Sequence, residues 1–204
     1  NPVPWLMEHL DRKHTKGRKR KTNKKRLYVD MPCAFDIETS RVCIDADDNP
    51  HTIMYIWQCQ LGLDITIIGR TWDEWLNFTG AISDYLQANS GPQGDWFLCM
   101  YVHNLAHEFQ YLSGVLDFGP GDVFASKPRR VLKCDNRAIE YRCSMRHSNL
   151  SLDAWGKQLG APHAKLTGAL DYSKVRCPWT PLTSTELAYC VNDVRCIVEC
   201  LLIE

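Results

Sequence analysis

The sequence predicts an α/β fold in which a mixed β-sheet is flanked by helices. Three observations support this fold class. Three segments rich in β-branched and aromatic residues follow one another early in the chain, helix-like and strand-like segments then alternate, and two helical patterns close the sequence. A length of 204 residues, of which 45% are hydrophobic, is enough for one domain with a buried core.

Three antiparallel strands are expected first. Residues 26–39 (RLYVDMPCAFDIET) form an apolar segment that ends in acidic residues, and they predict one strand. Residues 52–69 contain two more β-branched runs, and the short segment 61–64 between them predicts a hairpin turn. Because such a turn reverses the chain, the two runs should pair antiparallel.

Helices and strands are expected to alternate after the hairpin. Residues 71–89 place apolar side chains at helical spacing, and Thr71 with Glu74 three positions later predicts a capping box. Residues 96–102 (WFLCMYV) are continuously apolar, which is typical of a buried strand. The remaining segments predict a helix over 104–115, turns and short strands over 119–146, a short helix over 151–159, and a long helix over 183–202 capped by Thr183 or Ser184.

The formal net charge of zero conceals two regions of opposite charge. Residues 12–26 contain ten lysines or arginines and no acid, whereas residues 27–204 carry 14 basic and 22 acidic residues, a net charge of −8. So dense a run of like charges predicts that residues 1–26 form a disordered tail ahead of a folded domain over 27–204. The tail is either a phosphate-binding arm or a solvated leader segment, and the sequence supports both interpretations equally.

Cysteine usage and hydropathy predict an intracellular protein. Most of the ten cysteines lie within apolar periodic segments, which favours reduced thiols in a core over a disulfide framework. The sequence contains no CxxC pair of the kind that binds structural zinc. It also contains no apolar run long enough to span a membrane, and its N-terminus lacks the pattern of a signal peptide.

Asp36 and Glu38 form the first of three acidic motifs. Residues two apart on a strand project from the same face, so these carboxylates would lie together while Phe35 and Ile37 enter the core. Like charges this close resist joint ionisation, and a divalent cation would relieve their repulsion. Oxygen ligands favour Mg²⁺ or Mn²⁺ over zinc. The alternative is that the pair is only the solvent-exposed end of a strand.

Asn104 and Glu108 form the second motif, where the buried strand gives way to a helix. Their spacing of four positions places them on one helix face, and Glu108 would add a third carboxylate to the first pair. His103 and His107 also lie four positions apart, but the order of residues is not that of an HExxH metalloprotease. The alternative is a capping Asn followed by a surface Glu.

Tyr189 and Asp193 form the third motif, on the predicted C-terminal helix. They lie one turn apart and face the same way, near the apolar stripe by which the helix would dock. An unpaired carboxylate in such a place is costly, and a metal ion would offset that cost. Together the motifs supply four acids in the order DxE, NxxxE and YxxxD, which is a more specific signal than any one of them alone.

This order of motifs resembles that of the DEDDy 3′–5′ exonucleases, whose fold is RNase H-like. More narrowly, it is similar to the exonuclease domain of the protein-primed family B DNA polymerases of phages and linear plasmids. The resemblance extends from about residue 27 to residue 204. It is carried by four segments, FDIET at 35–39, YVHNL at 101–105, LDYSK at 170–174 and YCVND at 189–193.

The resemblance implies a metal centre. Asp36, Glu38 and Asp193 match metal ligands of the family. Glu108 stands where the family usually has Asp, and we expect it to be the fourth ligand although its longer side chain changes the geometry. The implied cofactors are two Mg²⁺ or Mn²⁺ ions.

The resemblance also implies roles beside the metal ions. Tyr189 matches the residue that orients the attacking water. The family's catalytic lysine falls at Thr167 by direct counting, and we expect the nearest lysine, Lys165, to take its role. The positions expected to contact a single-stranded 3′ end are Thr39, His103, Asn104, Tyr111, Ser151, Leu152 and Tyr172.

The implied activity is proofreading: removal of nucleotides from single-stranded or frayed DNA 3′ ends, beside a polymerase domain and in a host cytoplasm. The family's polymerase motifs are missing, so we expect this chain to synthesise no DNA and to correspond to an excised domain. Three alternatives stay open. They are a non-catalytic nucleic-acid-binding module that works through the basic tail, an RNA 3′–5′ exonuclease on the same fold, and an inert folding module of a larger polymerase.

Overall fold

The computed structural model describes residues 12–13, 25–43, 50–163, 166 and 170–204. Within these residues, nine strands form one mixed sheet: β1 (Arg12–Lys13), β2 (Arg26–Val29), β3 (Cys33–Cys43), β4 (Pro50–Leu61), β5 (Ile65–Gly69), β6 (Asp95–Val102), β7 (Val123–Ala125), β8 (Val131–Asn136) and β9 (Ile139–Cys143). The described helices are α1 (Trp72–Ala88), α2 (Leu105–Leu112), α3 (Met145–Ser148), α4 (Leu152–Leu159) and α5 (Ser184–Ile203).

The sheet combines an antiparallel half with a parallel centre. Its main strand order is β5-β4-β3-β6-β9-β8-β7, with β3, β4 and β5 antiparallel to one another. At the centre, β6 pairs parallel with both β3 and β9. The predicted fold class, a mixed sheet of antiparallel strands followed by alternating helices and strands, is confirmed.

The segment predicted as one strand over residues 26–39 consists of two strands, so that prediction was wrong. β2 and β3 run along the same edge of β6, with Tyr28 opposite Phe97 and Cys33 opposite Met100. The chain advances five residues there while β6 advances three, so two extra residues bulge out of the ladder. Pro32 lies in this interruption and has no amide hydrogen to donate to a neighbouring strand.

The predicted hairpin and the predicted capping box of the first helix are both confirmed. β4 and β5 pair antiparallel around a turn in which Gly62 has a φ of +54°. Thr71 caps α1 with the expected box, because its hydroxyl accepts from the Glu74 amide while the Glu74 carboxylate accepts from the Thr71 amide. Two details differ: α2 ends at Leu112 rather than 115, and α3 was not predicted.

Helices pack on both faces of the sheet. On one face, Phe35 of β3 and Leu105 of α2 belong to the main core, and the Phe35 ring stacks on Trp75 of α1 with centroids 4.2 Å apart. On the other face, Ala34 of β3 belongs to a second apolar cluster built mainly by α4 and α5. Because side chains alternate along a strand, Asp36 and Glu38 share the face of Ala34, beneath α5.

The predicted disordered tail lies mostly outside the described residues. Of its length, Arg12–Lys13 pair antiparallel with β2, and Arg26 opens β2 with its guanidinium bonded to Asp135 and Glu140. No disulfide joins the nine cysteines whose side chains are described. Among the described helices, none is long and apolar enough to cross a membrane.

Candidate metal centre

Three carboxylates from two distant parts of the chain meet between β3 and α5. Asp36 and Glu38 project from β3, and Asp193 projects from α5, which packs across that part of the sheet. One oxygen from each residue can be chosen so that all three lie within 4.8 Å of one another. Such a group of oxygen ligands can hold a divalent cation such as Mg²⁺ or Mn²⁺.

The cluster lies partly inside the protein. Glu38 and Asp193 are 8% and 3% exposed, and Asp36 is half-buried. On α5, Asp193 lies one turn from the buried Cys190 and Ile197, so the helix turns its acid inward together with buried apolar residues. Burial disfavours the charged forms of neighbouring carboxylates and their mutual repulsion adds to that cost, so the site favours a bound cation.

Glu108 lies near this cluster but outside the group of three. It projects from α2 and is 3% exposed, which rules out the surface position that the sequence also allowed. Burial first, and then the charges of Asp36 and Glu38, raise the pKa of Glu108 well above its usual value. Its Oε2 has no hydrogen-bond partner among the described residues. Glu108 is therefore a buried carboxyl close to the other acids, and one of its oxygens bonds no described residue.

Tyr189 lies one helical turn before Asp193 and is 4% exposed. Its hydroxyl oxygen is 3.2 Å from that of Tyr172, whose own side chain is 69% exposed. Burial, the bond with Tyr172, and the charges of Asp193 and Glu38 all raise the pKa of Tyr189. The phenol therefore keeps its proton at neutral pH, and it can orient a ligand but cannot act as a base.

The residues of the second motif differ in what they contact. Asn104 is the N-cap of α2, with a left-handed φ of +70°, an exposed side chain and no side-chain capping bond. It lines a cavity of about 190 Å³ together with Arg130 and Arg146. The His103 ring instead packs inward, with Nδ1 3.1 Å from the Ser144 hydroxyl.

The other expected contacts with the 3′ end are spread over three elements. Thr39 follows Glu38 at a β-bulge and is half-buried, as is Tyr111 on α2. Ser151 caps α4, with its hydroxyl accepting from the Ala154 amide, and Leu152 is 5% exposed within the second apolar cluster. Lys165 and Thr167, the two positions considered for the catalytic lysine, lie outside the described residues.

Arg176, which the sequence interpretation passed over, holds Tyr172 and its loop against the site. Its guanidinium donates to the Glu186 carboxylate at 2.5 Å and to the Asp171 carbonyl at 2.7 Å, and its amide donates to the Ser40 hydroxyl of β3. Arg176 is 3% exposed, so a charged residue in a segment that looks like a polar loop is in fact an internal anchor. Only the tertiary contact reveals that role.

Gln58 was also missed, and it contacts the acids directly. Its Nε2 donates to Asp36 Oδ2 at 3.0 Å. The available signal was composition, because Gln58 and Gln60 are the two polar side chains within the apolar run at 53–61 of the predicted strand. Without the pairing register of β3 and β4, nothing connected either glutamine with the acidic motif.

The chain shares its fold with part of a DNA polymerase. Phi29 DNA polymerase complexed with primer-template DNA matches 85% of this chain with a TM-score of 0.65 and 17% sequence identity. The same polymerase complexed with single-stranded DNA matches 85% of the chain with a TM-score of 0.61. The chain spans about a third of the length of these polymerase chains. No family model matches the sequence, and no curated protein matches it.

Proposed function

We propose that this chain is a metal-dependent 3′–5′ exonuclease that removes nucleotides from single-stranded or frayed DNA 3′ ends. The observation that carries the proposal is the convergence of Asp36, Glu38 and Asp193 within 4.8 Å. The fold similarity to a DNA polymerase solved with single-stranded DNA supports DNA as the substrate. A proofreading role beside a polymerase domain follows from the same similarity and belongs to this proposal.

The donor set fits Mg²⁺ or Mn²⁺ ions. Asp36, Glu38 and Asp193 would hold them, and Glu108 would be the fourth ligand because its buried carboxyl has an oxygen without a described partner. When bound, a pair of such ions activates water and stabilises the leaving oxygen of a phosphodiester. The cations would in turn stabilise the buried carboxylates, because their positive charge offsets the free energy lost when the carboxylates leave water.

The chain's own residues would hold and orient the strand. Tyr189 remains protonated and would donate its hydroxyl hydrogen to the attacking water. The exposed ring of Tyr172, joined to Tyr189 through their hydroxyls, would stack on a base near the 3′ end. Such contacts are largely indifferent to base identity, so we expect preference for unpaired ends rather than for particular sequences.

The direct test compares the wild type with Asp36→Ala/Glu38→Ala on labelled single-stranded DNA with Mg²⁺. We expect the cleavage rate of the double variant to fall more than about 100-fold. Loss of a residue that only hydrogen-bonds to a metal ligand can already lower activity by about that factor. The control is Asp64→Ala/Asp117→Ala, which removes two exposed carboxylates that belong to none of the three motifs. Equal degradation by all three proteins would refute the proposal.

The same assay separates the proposal from its alternatives. Matched DNA and RNA oligomers distinguish a deoxyribonuclease from a ribonuclease on the same fold, because only the RNA carries the 2′-hydroxyl. An inert folding module should bind no divalent ion. A rise in unfolding temperature with Mn²⁺ that Asp36→Ala/Glu38→Ala abolishes would exclude that alternative.

A further inference from the structure

Gln58 of β4 is the direct cross-strand partner of Asp36 in β3. Side chains of directly opposed residues lie on one face of the sheet and close enough for contact. Gln58 is fully buried, and its Nε2 donates to Asp36 Oδ2 at 3.0 Å. Because an ionised carboxylate can only accept hydrogen bonds, the amide nitrogen is the end that must face it.

The other end of this amide, its oxygen, makes no hydrogen bond within the part of the chain that the structure describes. Gln58 Oε1 is buried and has no hydrogen-bond partner among the described residues. Leaving a buried polar atom unpaired destabilises the fold, and an apolar side chain of similar shape would avoid that cost. Packing alone therefore gives no reason for an amide at this position, whereas the contact with Asp36 does.

We propose that Gln58 is a positioning residue that orients the Asp36 carboxylate toward Glu38 and Asp193 before a divalent cation binds. The inference deepens the proposed function and rests on it. Groups that hydrogen-bond to metal-binding carboxylates fix the direction of the ligand oxygens, and their loss lowers metal affinity although they never touch the ion. Gln58 acts through Asp36 and is not itself a ligand.

Gln60 provides a matched control. It lies two positions further along β4, on the same face of the sheet, and is also fully buried. Its Nε2 donates to the Gly62 carbonyl at 2.9 Å and its Oε1 accepts from the Thr66 hydroxyl at 2.5 Å. A substitution at Gln60 therefore reproduces the loss of a buried amide without removing the contact with Asp36.

The test measures Mn²⁺ binding to the full chain by electron paramagnetic resonance, without DNA. We expect Gln58→Met to weaken Mn²⁺ binding about 10- to 100-fold and Gln60→Met to change it less than about twofold. On single-stranded DNA, kcat should fall for Gln58→Met at nearly constant KM. Urea unfolding monitors the fold, and Gln58→Asn, which keeps an amide too short to reach Asp36, serves as the second variant.

Each outcome decides a different claim. If both methionine variants bind Mn²⁺ as tightly as the wild type does, and the wild type degrades DNA, Gln58 does not position Asp36 and the proposed function still stands. If the wild type neither binds Mn²⁺ nor degrades DNA, the proposed function is wrong and the inference about Gln58 falls with it. Weakened Mn²⁺ binding by Gln58→Met and Gln58→Asn, but not by Gln60→Met, supports the inference.

Discussion

At the scale of single residues, Glu108 shows best how burial changes the chemistry of an acid. The sequence allowed a surface glutamate on α2, and the structure instead encloses it beside Asp36 and Glu38. Burial and the neighbouring charges both disfavour the ionised form. In the metal-free protein, this carboxyl is therefore a source of pH-dependent instability.

Glu108→Gln should stabilise the metal-free protein increasingly as pH rises. The raised folded-state pKa means that the wild-type carboxyl contributes its full stability below its ordinary pKa of 4.5 and loses it as pH climbs toward the folded value. Each pH unit in that window changes the difference in unfolding free energy by about 1.4 kcal/mol at most. Denaturation in EDTA at a series of pH values measures it.

Glu74→Gln is the control for Glu108→Gln, and its expected effect on stability has the opposite sign. Backbone hydrogen bonds from Arg70 and Thr71 lower the pKa of Glu74, so Glu74→Gln should destabilise the protein at neutral pH. If the stability difference between Glu108→Gln and the wild type does not vary with pH, the environment assigned to Glu108 is wrong.

Tyr189→Phe isolates the hydroxyl in the proposed site. Removing it should lower the rate of hydrolysis about 100-fold, because the attacking water would lose the hydrogen bond that orients it. Single-stranded DNA affinity should stay nearly constant. The assay is single-turnover cleavage, with Tyr85→Phe on α1 as the control. An unchanged rate would remove Tyr189 from the mechanism.

At the scale of elements, the loop between Leu170 and Thr183 is held by ionic and hydrogen-bonded anchors. Arg176 joins it to Glu186 at the start of α5 and to Ser40 in β3. Backbone bonds from Thr183, and then the Arg176 guanidinium, lower the pKa of Glu186 to about 2. This loop carries Tyr172, so its anchoring determines where that exposed ring lies.

Glu186→Gln should weaken this anchor and change the acid stability of the protein. Because the folded-state pKa is lowered, the stabilisation by Glu186 is present above its ordinary pKa of 4.5 and is lost as pH falls toward about 2. We expect the variant to be less stable by about 1–3 kcal/mol at neutral pH and to lose less stability on acidification. Urea unfolding at several pH values tests this.

A more exposed pair on α4 gives the comparison for that measurement. Asp153 bonds Lys157 one turn later, and Asp153→Asn should change stability by less than about 1 kcal/mol. If Glu186→Gln behaves like Asp153→Asn, the loop is not held by Arg176 and Glu186.

At the scale of the whole molecule, the chain separates its charges by position. The region from residue 27 onward has a net charge of −8, and the run at 12–26 has ten basic residues and no acid. An acidic domain repels nucleic acid except where cations intervene. The basic run would attract phosphates along the whole bound nucleic-acid strand, whereas bound metal ions would act only at the 3′ end of that strand.

Removing residues 1–24 should separate binding from chemistry. The truncated protein should bind single-stranded DNA more weakly and with a smaller dependence on salt, because fewer phosphates release counterions. It should still cleave DNA at saturating substrate, since all four candidate metal ligands remain. Binding isotherms at several salt concentrations and single-turnover rates measure the two effects. Complete loss of DNA binding on truncation, with no cleavage by either protein, would favour a non-catalytic module that binds through its tail.

The local elements were largely predictable from the sequence. The capping box at Thr71, the helix cap predicted at Thr183 or Ser184 and found at Thr183, the turn after Leu61 and the apolar run of β6 are each set by neighbouring residues, so they hold in the structure. The division of residues 26–39 into β2 and β3 was not predictable from periodicity. Both halves are apolar, and the interruption is defined by how they pair with β6.

The sequence by itself determined the kind and order of the acids and the element on which each one lies. Tertiary structure alone decided that Asp36 meets Asp193, that Gln58 faces Asp36, and that Glu108 is enclosed beside them. The physical reason is that caps, turns and periodicity depend on residues a few positions apart. Contacts across 157 positions depend instead on strand register and on how α5 docks against the sheet.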